Sequence, residues 1–181
     1  ALVWLVGAWF LGPRSRAQRL IGAVAILALF AAAAAFSTSA RPVSQARRTI
    51  NIANGRCPTL AALAPVARQP RGMVMTFVDL GPRLIAVTPH DAITGPYHRN
   101  ARQIIDVMHA WRGDADNARA TAMRYRVDYL LICPNLSEST IYRSEAPRGF
   151  YMQLMGNKVP AWLAPVPLPA GSPYRMWRVL R

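Results

Sequence analysis

The chain has 181 residues, with 22 Lys or Arg against 8 Asp or Glu and a formal net charge of +14. Arg outnumbers Lys 21 to 1 and the arginines are scattered, not gathered into one run interleaved with aromatics, so nucleic acid is not an expected partner. No Cys-x-x-Cys, His-Glu-x-x-His, Walker, dinucleotide or Gly-x-Ser-x-Gly pattern occurs, which leaves zinc, nucleotide, dehydrogenase and hydrolase chemistry without a motif; no metal and no cofactor are expected.

In chain order, residues 1–12 read as the end of a transmembrane helix that is already apolar at Ala1, so a truncated polypeptide is expected. A signal peptide would place its basic region before the apolar stretch, and here the order is reversed. Residues 13–19 form a basic loop, with Arg14, Arg16 and Arg19 and no acid, which the charge rule assigns to the cytoplasm. Residues 20–40 read as a complete second transmembrane helix. Leu20 to Phe36 contains only apolar residues and Gly, reaching about 25 Å at ~1.5 Å per residue, and it has no polar face to turn to water. The large domain is then expected outside, although Arg41, Arg47 and Arg48 dilute the asymmetry. Residues 41–56 read as a juxtamembrane connector whose arginines meet lipid headgroups, making membrane lipid an expected partner.

Residues 57–181 are expected to form one α/β domain with a small, mostly parallel sheet. Leu60, Leu63 and Ala64 recur at helical spacing until Pro65 interrupts them. Met73 to Val78 is a continuous apolar and β-branched run suited to a buried strand, and Gly81-Pro82 then opens a short helix to about Val87. Asp91 to Gly95 reads as a returning strand. Asn100 is placed to cap a helix whose apolar face is Ala101, Ile104, Ile105, Met108 and Trp111. Asp114 opens another helix, with Ala115, Ala118, Ala122 and Tyr125 along one side. Val127 to Cys133 is a second buried strand, so strand, helix, helix, strand implies a parallel crossover. Phe150 to Met155 reads as a helix stopped by Gly156. A Pro-rich joint over 160–173 leads to a final edge strand over Tyr174 to Leu180.

Without Arg14, Arg16 and Arg19, 19 basic residues face 8 acids in 41–181, a surplus of 11. The candidate ligand-binding residues are Asp79, His90, Tyr97, His98, Arg99 and Asn100, all at expected element ends, where open α/β sheets collect ligands. Asp79 leaves the first strand beside the unpaired N–H groups expected of the next helix, and a small polar or anionic ligand would fit there. The competing reading makes Asp79 a turn residue, Asn100 a cap and Tyr97-His98-Arg99 a packed turn with polar tips. His90, His98 and an acid lack any recognised metal-ligand spacing. Cys57 and Cys133 are either a disulfide, permitted by an exported location, or two buried thiols.

The stretch Val78-Asp79-Leu80-Gly81-Pro82, through His90 to Pro96-Tyr97-His98-Arg99-Asn100, followed by Arg126-Val127-Asp128-Tyr129, resembles the C-terminal extracytoplasmic domain of bacterial polytopic membrane proteins related to GT-C glycosyltransferases. The resemblance implies many membrane helices, a lipid-linked sugar donor such as a polyprenyl-phosphate-linked sugar, and a periplasmic α/β domain after the last helix in the inner membrane. It carries over no catalytic residue, because in that family the catalytic acids lie in an early outer loop. The competing class is a membrane transport or export protein whose outer domain is a structural or partner-binding module.

Overall fold

The computed structural model describes residues 15–38 and 44–181. They divide into two units, Ala1–Ser44 and Gln45–Arg181, each with its own contacts. In the first, helix α1 runs Arg16–Thr38 and leaves Leu20, Ile21, Val24, Leu27, Leu29 and Phe30 exposed. Among the described residues no helix is long and apolar enough to cross a membrane, the described side chains of α1 ending at residue 32. The expected helix end at 1–12 lies outside the described residues, as do residues 13, 14, 39 and 40 of the expected loop and span.

The second unit opens with helix α2 (Gln45–Arg56), where a connector was expected, and helix α3 (Leu60–Ala67). Thr59 caps α3 by accepting the Ala62 amide at 3.2 Å. The helix continues through Pro65, contrary to expectation. Pro65 forgoes one intrahelical bond, but burial of Leu63 and Val66 holds the turn together.

Strand β1 (Met73–Met75) leads to helix α4 (Gly81–Val87), strand β2 (Asp91–Ala92), a single 3-10 turn (His98–Asn100), then helices α5 (Ala101–Arg112) and α6 (Ala115–Arg124). Strand β3 (Tyr129–Ile132) is buried throughout, as a strand covered on both faces must be. After it come helices α7 (Ser139–Glu145) and α8 (Phe150–Met155) and strands β4 (Leu163–Val166) and β5 (Arg175–Val179).

The sheet order is β2-β1-β3-β5-β4. β1 pairs parallel with β2 and with β3, whereas β5 runs antiparallel to both β3 and β4. The sheet is therefore mixed, not mostly parallel. The last strand is interior, and the edge is taken by β4, inside the stretch read as a Pro-rich joint. Pro165 is tolerated there because an edge strand has N–H groups that need no partner.

The buried face of α5 is Val107, Ala110 and Trp111, while Ile105 is half exposed, so the helix is rotated from the expected face. On α6, Ala118 and Ala122 are buried as expected, and the Asp114 carboxylate accepts the Asn117 amide at 2.8 Å. The core centres on Phe77 at the exit of β1, which meets Trp111, Tyr142 and Tyr151 at ring-centroid distances of 5.6–5.7 Å. Phe150 and Trp162 extend this cluster by stacking.

Candidate ligand site

β1 lies where the chain path reverses across the sheet, so the loops leaving the carboxyl ends of β1, β2 and β3 are where an open α/β fold collects ligands. The turn after β1 is already full. The Glu138 carboxylate, delivered from the segment after β3, accepts the Val78 amide at 3.0 Å and the Asp79 amide at 2.8 Å. It also accepts the Tyr142 hydroxyl. The next two amides, Leu80 and Gly81, both donate to the Phe77 carbonyl. The amides from Val78 to Gly81 are therefore all paired, and a carboxylate of the chain itself takes the place of an anion beside Asp79. Burial pushes the Glu138 carboxyl above its ordinary range, opposed by the hydrogen bonds from Asp79, Tyr142 and Val78. Burial likewise pushes the Tyr142 hydroxyl up. The Asp79 side chain is exposed.

The loop after β2 is built differently. Its base is fixed: a Cβ on Gly81 would overlap the Thr94 carbonyl oxygen, and one on Gly95 would press on the Tyr97 ring and on Pro82. Glycine at 81 lets two backbones approach this closely, and glycine at 95 leaves room for the Tyr97 and Pro82 side chains. Asn100 does not cap α5 with its side chain. Its amide instead donates to the Thr94 hydroxyl at 3.2 Å, while its backbone N–H donates to the Tyr97 carbonyl at 2.8 Å. The Tyr97 amide donates to the Gly95 carbonyl at 2.7 Å. On this base Tyr97 is 51% exposed, and His98 and Arg99 are exposed. A phenol, an imidazole and a guanidinium offered from one short turn suit an anionic or hydroxyl-rich ligand.

His90 belongs to neither group. It is 2% exposed, its Nε2 lies 2.9 Å from the Val66 carbonyl oxygen, and its ring stands edge-on to Tyr129. Because a carbonyl only accepts, Nε2 is the donor in that bond, and Nδ1 is buried without a hydrogen-bond partner among the described residues. Its neighbour Asp91 pairs with Arg71 at 3.1 Å on the surface. Cys57 and Cys133 form a buried disulfide with Cα atoms 6.4 Å apart, inside the usual range. No group of His, Cys, Asp and Glu among the described residues could hold a metal ion.

Glu138, Thr94 and the Gly81 and Gly95 contacts were not singled out from the sequence. Gly81-Pro82 was visible as a helix start, but a carboxylate that bonds 59 and 60 residues away leaves no local signal.

No family model matches the chain, and no curated protein matches it. Among solved structures, the chain is similar to the C-terminal globular domain of an oligosaccharyltransferase from Archaeoglobus fulgidus. That likeness has 7% sequence identity and a TM-score of 0.46, and covers 76% of this chain and 99% of that one.

Proposed function

We propose that the chain is a membrane-anchored, extracytoplasmic α/β module of a larger membrane protein that transfers sugar from a lipid-linked donor, and that the turn Tyr97-His98-Arg99 contacts the polar headgroup of donor or acceptor. The observation that carries the reading is the loop after β2. The residues behind the GT-C resemblance, Gly81-Pro82 and Pro96 to Asn100, build one stiff base with three polar tips left free of the core. We place the anchor in α1, whose 23 residues reach about 35 Å and whose side chains Leu20, Ile21, Val24, Leu27, Leu29 and Phe30 are exposed. A disulfide supports an oxidising compartment outside the cytoplasm, here the periplasm of a bacterial inner-membrane protein.

The test is titration of the detergent-solubilised chain with polyprenyl phosphate, followed by the histidine ring resonances. Saturable binding that shifts the His98 resonance, and that weakens about tenfold or more in Arg99→Ala, is the expected result, since a hydrogen bond to a charged group contributes about 1.5–3 kcal/mol. Binding that is absent, or equal in a Tyr97→Ala/His98→Ala/Arg99→Ala variant, removes the loop from substrate contact and leaves the structural-module reading.

A further inference from the structure

The unit that contains α2 holds it firmly at its C-terminal end. Its C-terminal turn is tied down: Asn54 Oδ1 accepts the Ser137 amide at 2.9 Å, an Arg56 guanidinium N–H donates to the Gly171 carbonyl at 2.5 Å, and Cys57 just beyond is held by the disulfide and by the Tyr174 hydroxyl. Of the helix itself only Ala53 is buried and Ile50 half-buried. A twelve-residue helix has marginal stability in water on its own, so a surface against its exposed face would add to what its C-terminal contacts supply.

The side chains describe that surface. Ile50 and Ala53, three residues apart, turn toward the domain. Arg48 and Ile52, four residues apart, stand on the opposite face, with Ile52 66% exposed. The helix carries Arg47, Arg48 and Arg56 and no acid. Leu60, at the start of α3, is also exposed. Six residues, 39–44, separate α2 in sequence from the apolar α1. Arginine beside exposed isoleucine is the chemistry of the headgroup zone, where the charge meets phosphate and the aliphatic chain enters the acyl boundary.

We propose that α2 is an interfacial helix that lies against an anionic lipid surface through Arg48 and Ile52, and so fixes how the α/β domain stands off the bilayer. The inference rests on the reading that α1 anchors the chain in the membrane, and it holds whatever the Tyr97 loop binds.

The experiment uses the full chain reconstituted in liposomes of phosphatidylcholine alone or mixed with phosphatidylglycerol. Flotation reports anchoring, and amide hydrogen exchange over residues 49–53 reports α2. The expected result is exchange slowed about tenfold by the anionic lipid, with the slowing lost in high salt and in Arg48→Glu. An unchanged melting temperature shows that the variant is folded. Equal exchange in the two lipids, in a chain that floats, overturns the inference and leaves the anchor standing. A chain that fails to float overturns both. Protection that appears in native membranes but not in pure lipid assigns the face to a protein partner and overturns the lipid surface.

Discussion

The turn after β1 and the loop after β2 leave neighbouring parallel strands at the same end of the sheet, yet one is closed and the other open. At the first, every amide from Val78 to Gly81 has an internal acceptor, two of them the buried Glu138 carboxylate. At the second, internal contacts are spent on the base, Thr94, Gly95 and Asn100, and the tips Tyr97, His98 and Arg99 are left to solvent. The contrast teaches that a strand end in the right place is only half of a ligand site. Whether its donors are already satisfied decides the rest.

The strongest way to break the contrast is to empty the closed turn. Glu138→Ala leaves the Val78 and Asp79 amides and the Tyr142 hydroxyl without their acceptor, and should lower domain stability by about 3 kcal/mol in chemical denaturation. Acetate or formate added to that variant should recover part of the loss by refilling the slot, whereas the parent should not respond. Gly81→Ala strikes the seam between the two loops, because its Cβ overlaps the Thr94 carbonyl oxygen; a loss of about 2 kcal/mol is expected, seen as a lower melting temperature.

A smaller effect comes from pH. The Glu138 carboxyl is raised in the folded state, so between its unfolded and folded values the folded chain holds a proton that the unfolded chain has released. Stability should therefore fall as pH rises through that window, from the ordinary carboxylate range upward, and then level off. In Glu138→Gln this component of the slope should be missing, which the difference between the two denaturation profiles measures. Least of all, Tyr97→Ala, His98→Ala and Arg99→Ala should each change stability by less than about 0.5 kcal/mol, as exposed tips do. A larger loss in any of them would turn the open loop into a packed one.

Much of the parallel half was legible. Met73 to Val78, interrupted only by β-branched Thr76, and Tyr129 to Cys133 within Val127 to Cys133 are apolar stretches of strand length, and the Asp114 cap and the Ala118, Ala122 stripe identify α6. The antiparallel half was not. Leu163-Ala164-Pro165-Val166 neither alternates nor avoids proline, so β4 carries no local strand signal, and without it β5 reads as an edge. Helix α7 is mostly polar and buries only Ser139 and Tyr142, too few to show a period. Of the candidate site, the exposed turn was visible as a cluster of polar types. The pairing that closes the neighbouring turn depends on tertiary contact between the β1 exit and Glu138, and the core position of His90 depends on Val66 and Tyr129, far away in the chain.

The Cys57–Cys133 bond has a consequence for how the molecule matures. Both sulfurs are sealed from solvent in the finished domain. An oxidant must therefore reach the two thiols after Cys133 has emerged but before the core closes around the pair. A reductant arriving later finds no accessible sulfur. The bond is thus made once, during assembly, and records whether the chain passed through an oxidising environment at that moment.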